Sequence, residues 1–126
     1  MEYRTGNETI LLVEDEEPLR KVVVELLSQL GYNVLSAANA REALRLATDD
    51  QQVDLLITDV LMPEISGPEL ARQLQTQRPL LKVIFISGYD DGSLAPDGVL
   101  PNEVVLVHKP FTVRALSATL RQVLDN

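Results

Sequence analysis

Asp59 stands where the apolar run Leu55-Leu56-Ile57 ends, at the point where a strand buried on both faces leaves the core. Glu14 and Asp15 follow a second such run, TILLV from Thr9 to Val13. Ser87 closes KVIFIS, and Lys109 follows VVLVH. In an open α/β sheet, ligands bind in the crevice beyond the carboxyl ends of the strands, so three carboxylates, a hydroxyl and an ammonium are expected around one cleft. Two carboxylates about 4 Å apart repel by roughly 4 kcal/mol at an effective dielectric of about 20. A cation must offset that repulsion, or one acid must take up a proton. Lys109 brings a single positive charge. A hard divalent ion completes the set, and Mg2+ typically takes one or two carboxylates and keeps several waters. The remaining positions suit phosphate oxygens. The chemistry that follows is phosphoryl transfer, with Asp59 as the nucleophile that becomes an aspartyl phosphate. Mg2+ and Lys109 would neutralise the phosphoryl oxygens, and Ser87 would donate a hydrogen bond to one of them.

Each residue also has a plainer reading. Asp59 could be a surface acid in an ordinary strand-to-helix connection. Glu14 and Asp15 could complement the dipole of the following helix, the role assigned here to Glu16 and Glu17. Ser87 could be a satisfied strand-end hydroxyl, and Lys109 a solvated lysine. His108, the only histidine, reads as an ordinary strand-end residue. It is the combination at the strand ends that favours a site.

The elements around these residues alternate. Thr9–Val13 is a strand, and Pro18 suits the first turn of the helix behind it. That helix carries Leu19, Val22, Val23, Leu26, Leu27 and Leu30 on one expected face and stops at Gly31. Tyr32 to Ala37 is a weaker strand suited to an edge. Asn39 with Glu42 forms a capping box for a second helix, buried through Ala43, Leu44 and Ala47. After Asp59, Pro63 delays the next helix and pushes Met62 toward an extended conformation. Ser66 and Glu69 then cap a helix from Pro68 to about Gln77, with Leu70, Ala71 and Leu74 inward.

Lys82 to Ser87 is the fourth strand and Val104 to His108 the fifth. Thr112 caps a last helix with Val113, Leu116, Leu120, Val123 and Leu124 on one face. Between the fourth and fifth strands the alternation calls for a helix, yet Gly92, Pro96, Gly98 and Pro101 oppose one. A loop with at most one turn is expected there. The expected fold is therefore an α/β three-layer sandwich, with a five-stranded parallel sheet in the flavodoxin-like order 2-1-3-4-5. Its helix before the last strand is shortened or replaced by loop.

With 126 residues the chain fits one domain, read as 9–126 behind a polar, frayed lead-in at 1–8. Eleven Lys+Arg against 19 Asp+Glu leave a net charge of −8. Nucleic acid and anionic membrane both need basic footprints, so neither is expected as a direct partner. The chain has no cysteine, which excludes disulfides, thiolate metal sites and thiol nucleophiles. No signal peptide or membrane span is read, and the cytoplasm is the expected compartment.

The motifs occur in a distinctive order: Glu14-Asp15, then DVLMPEISG from Asp59 to Gly67, ISG from Ile86 to Gly88, and KPF from Lys109 to Phe111. This resembles the response-regulator receiver domain, the CheY-like family, over Thr9 to Asp125. The resemblance implies Asp59 as phospho-acceptor and Asp15 and Asp59 as direct Mg2+ ligands. It also implies the Leu61 backbone carbonyl as a third ligand and Glu14 acting through metal-bound water. Ser87 would be the hydroxyl switch, Lys109 the phosphate partner, and Pro110 would follow a cis peptide. The acidic pair is Glu-Asp where Asp-Asp is common. Leu106 replaces the aromatic residue that many members carry three positions before the lysine, and the usual helix before the last strand is missing. ISGY, a Gly/Pro-rich connection and HKPF together are similar to receivers fused to hybrid sensor histidine kinases.

Three functions compete. A phospho-accepting module would take its phosphoryl group from a histidine kinase or histidine phosphotransfer domain and shift a two-state equilibrium. A flavodoxin-like cofactor-binding protein would need a Gly-, Ser- or Thr-rich phosphate cradle after the first strand, where this chain has four acids. A pseudo-receiver would keep the fold as a docking domain without phosphorylation. Tyr89, two residues past Ser87, is expected to flank the cleft and limit water access.

Overall fold

The computed structural model describes residues 5–48, 51–87, 105–108 and 112–125. Its strands are β1 (Thr9–Val13), β2 (Asn33–Ala37), β3 (Leu55–Asp59), β4 (Lys82–Ser87) and β5 (Val105–His108). They form one parallel sheet in the order β2-β1-β3-β4-β5. Four helices lie among the described residues: α1 (Glu17–Gln29), α2 (Ala40–Leu46), α3 (Gly67–Gln77) and α4 (Val113–Leu124).

Strand side chains alternate between faces, and the core divides accordingly. Ile10, Leu12, Leu55, Ile57, Ile84 and Ile86 pack with Val23 and Leu27 of α1 and Leu116 and Leu120 of α4. Leu11, Val13, Leu56 and Phe85 face the other way, onto Ala40 and Ala43 of α2 and Leu70 and Leu74 of α3. The result is the expected three-layer sandwich. β2, with only Ala37 fully buried, is an edge.

Caps set the helix starts. Asn39 Oδ1 accepts from Glu42 N–H at 2.8 Å, Ser66 Oγ from Glu69 N–H at 3.2 Å, and Thr112 Oγ1 from Ala115 N–H at 3.0 Å. Each such cap is worth about 1 kcal/mol.

Three expectations need correction. Val22 is 53% exposed, because it lies about 100° around the helix from Val23 and cannot share its face. Val24 packs against the core instead. Leu44 is also at the surface, and Ala40 joins Ala43 and Ala47 on the buried side of α2. Finally, Gly6 and Glu8 of the lead-in are bonded to the rest of the fold. Gly6 N–H donates to Leu30 O at 3.1 Å, Asn33 N–H to Glu8 O at 3.0 Å, and Arg121 pairs with Glu8 at 2.8 Å. The Gly/Pro-rich connection, and with it the shortened helix expected there, lies outside the described residues.

Candidate functional site

β1 and β3 pair in parallel with Val13 opposite Thr58, so the next residues, Glu14 and Asp59, come level at the carboxyl edge. β2 lies on one side of β1 and β3 on the other, which makes this edge the point where the winding of the sheet reverses. Glu14 and Asp59 are buried, while Asp15 is exposed. One carboxylate oxygen from each of the three lies within 4.8 Å of the others. Oxygens on opposite sides of an octahedral Mg2+ are about 4.2 Å apart, with Mg–O about 2.1 Å. Three oxygen donors at this spacing, two of them sheltered from water, fit a hard divalent cation with some positions left to solvent.

The surrounding backbone fixes these acids. Glu14 N–H donates to Ala37 O at 3.1 Å, and Glu14 Oε2 accepts from Glu16 N–H at 3.0 Å. Arg20 Nη1 donates to Glu14 O at 2.9 Å. Beyond Asp59, Val60 N–H reaches Ile86 O of β4 at 3.1 Å, and Gly67 N–H reaches Val60 O at 2.8 Å. Thr58 Oγ1 donates to Asp59 O at 3.1 Å. Glu64 takes a φ of 75°, a left-handed turn that returns the chain toward α3.

The start of α3 is pressed onto the acid. A Cβ on Gly67 would overlap the Asp59 carbonyl oxygen and meet Thr58 Cγ2 at 3.2 Å, so only a hydrogen fits. Gly67 belongs to the DVLMPEISG motif, but no local pattern in the sequence marks this contact. Arg20 beside the site is likewise unmarked. A basic residue one helical turn after an acidic turn was the available signal, but helix-surface arginines are common.

Of the residues expected in the site, Glu14, Asp15 and Asp59 come together. Leu61 is in the turn two residues after Asp59, with its side chain exposed. Ser87 ends β4, one residue past Ile86, the partner of Asp59, and sits opposite His108. Leu106 pairs with Phe85. Lys109, Pro110 and Tyr89 lie outside the described residues.

A cavity of about 610 Å³ opens at the other edge of the sheet, between Glu8, Asp54, Arg78 and Lys82. Its cations serve the fold. Arg78 donates to the carbonyls of Ala47, Thr48 and Gln51, and Lys82 Nζ donates to Val123 O and Leu124 O at the end of α4. The acids at the carboxyl edge are therefore the better candidate. No helix among the described residues is long and apolar enough to cross a membrane.

Residues 10–121 match the family described as the response regulator receiver domain. The sensor kinase CckA of Brucella abortus is 37% identical over 122 residues, covering 96% of this chain and 13% of that protein. The response regulator receiver protein CpdR of the same organism is 36% identical over 115 residues, covering 91% of this chain and 95% of CpdR. Among solved structures, the receiver domain of the hybrid histidine kinase CckA superposes with a TM-score of 0.75 at 37% identity, over 90% of this chain and 96% of that one. A signal receiver domain of an HD domain-containing protein from Pseudomonas fluorescens gives 0.82 at 30% identity, over 95% and 96%.

Proposed function

Since this chain belongs to the response regulator receiver domain family, a domain of two-component signalling, we propose that it accepts a phosphoryl group on Asp59 and passes the signal on as a change of surface. The observation that carries this reading is the meeting of Glu14, Asp15 and Asp59 within 4.8 Å at the carboxyl edge, next to the turn that α3 fastens.

In this reading Asp15, Asp59 and the Leu61 carbonyl hold Mg2+ directly, and Glu14 acts through a water. When bound, the ion supplies positive charge against the phosphoryl oxygens. A carboxylate oxygen of Asp59 forms the bond to phosphorus while the bond from phosphorus to the donor imidazole nitrogen breaks, and the released imidazole takes up a proton. Ser87 donates a hydrogen bond to one phosphoryl oxygen, and Lys109, which lies outside the described residues, neutralises another. The turns beside β3 and β4 then shift toward the phosphorylated arrangement, a population change rather than a new fold. Leu106 offers no aromatic ring to swing inward, so output runs through Ser87 and the adjoining turns.

The donor is a histidine kinase or a histidine phosphotransfer domain in the cytoplasm, and the domain by itself is a phospho-acceptor rather than a turnover enzyme. The 37% identity to CckA favours the receiver of a hybrid kinase or phosphorelay. The 36% identity to CpdR, over 95% of that protein, favours a second reading, a response regulator receiver protein. Incubation with a small acyl-phosphate donor and Mg2+, followed by intact mass measurement, tests the central step. One phosphoryl group on the wild type and none on Asp59→Asn is the expected result. Equal labelling of the two would remove Asp59 from its role.

A further inference from the structure

Arg20 sits in the first turn of α1 and grips the turn that carries Asp15 from both sides. Its backbone N–H donates to Glu16 O at 2.9 Å, and its Nη1 donates to Glu14 O at 2.9 Å. The carbonyls of both neighbours of Asp15 are thus fastened to one residue. The Arg20 side chain is only 18% exposed, so its bond to Glu14 O is a sheltered, charge-assisted one. The guanidinium also lies 3.6 Å from Glu17, but Glu17 is 64% exposed and that pair contributes little. Glu14 is further anchored through its N–H to Ala37 O and its Oε2 to Glu16 N–H. Asp15, the exposed member of the cluster, takes its place from these neighbours.

We infer that Arg20 is a positioning residue for cation binding: its side chain pre-forms the Glu14–Glu16 turn so that Asp15 and Asp59 meet one ion. The inference rests on the Mg2+ reading above. Two effects of Arg20 oppose each other. As a cation bonded to the backbone of Glu14 it repels Mg2+ held by the cluster, so charge alone makes its removal tighten binding. As a clamp it spares the ion the ordering of the turn, so loss of the clamp weakens binding. Partners hydrogen-bonded to a metal's ligands typically change its affinity 10–100-fold, and Arg20, one bond further out, belongs at the low end of that range. The sheltered geometry of the Nη1 bond makes the clamp the larger effect.

Calorimetric titration of the whole chain with Mg2+ separates the two, using wild type, Arg20→Gln and Arg20→Lys. Arg20→Gln is expected to raise the Kd about tenfold. Amide hydrogen exchange at Asp15 and Glu16 without Mg2+ is expected to speed up, with the rates in β3 and β4 unchanged. Arg20→Lys keeps the charge on a point donor without the planar fork, and is expected to recover binding only in part. Binding by Arg20→Gln as tight as, or tighter than, wild type overturns the inference. Should Arg20→Gln fail to fold, Arg20→Lys decides: weaker binding than wild type supports the clamp, and equal binding overturns it. Wild type that does not bind Mg2+ defeats the metal reading and this inference with it, whereas wild type that binds beside an unaffected Arg20→Gln defeats this inference alone.

Discussion

Gly67 and Asp59 share a contact that leaves no room for a side chain: a carbon on Gly67 would overlap the carbonyl oxygen of Asp59. The first residue of α3 is therefore seated on the peptide of the acid, with its N–H on Val60 O at 2.8 Å. The strand end and the helix start form one rigid corner. Asp59 is held from behind by its own backbone while its carboxylate faces the acidic cluster.

Gly67→Ala must push that corner apart. Overpacking of this kind costs about 1–3 kcal/mol, to be read as a lower urea midpoint. Labelling of Asp59 by an acyl phosphate is expected to slow in the same variant, because the carboxylate moves with its backbone. A variant with unchanged midpoint and unchanged labelling would show that the corner yields without effect.

Glu8 makes a pH-dependent contribution. Its hydrogen bond from Arg121 is the main cause holding its carboxyl below the ordinary value of 4.5. A group with a lowered folded pKa contributes stability above its unfolded value, and loses it as pH falls through the folded one. The urea-midpoint gap between wild type and Glu8→Gln is expected to be steady between about pH 7 and pH 5 and to close below about pH 4.5. Its size at neutral pH should be about 1 kcal/mol or less, as the pair is partly exposed. A gap that persists undiminished in acid would contradict the assignment.

Mg2+ should stabilise the fold by mass action. At about 100 times its Kd an ion that binds only the native state adds about 2.7 kcal/mol, enough to raise the thermal midpoint by several degrees. Asp15→Asn is expected to lose most of that increase. An equal rise in both proteins would put the ion elsewhere.

The sheet and the acids were legible because buried parallel strands write themselves as unbroken apolar runs, and the polar residue that ends each run marks the same edge. Thr9–Val13, Leu55–Asp59 and Lys82–Ser87 have the bounds expected of them. Helix faces were less legible. Val22 and Val23 are both apolar, and only packing decides which one turns inward. Contacts distant in sequence were invisible: Glu8 meets Arg121 across 113 positions, so the lead-in read as loose. The Gly67 contact, though only a few residues apart in sequence, was hidden too, since no local pattern says that a glycine touches a residue in the preceding strand. The grip of Arg20 depends on a side chain reaching back to a backbone carbonyl, which leaves no mark in composition or periodicity. The readings of Lys109, Pro110 and Tyr89 fall outside the described residues.

In the proposed function the acidic cluster needs a divalent cation before Asp59 can take a phosphoryl group. The rate of labelling by an acyl phosphate, followed by intact mass across a range of Mg2+ concentrations, is the decisive measurement. Labelling is expected to rise with Mg2+ to saturation, to stop in excess chelator, and to need far more Mg2+ in Asp15→Asn. Labelling of Asp59 at the same rate with and without Mg2+ would contradict it.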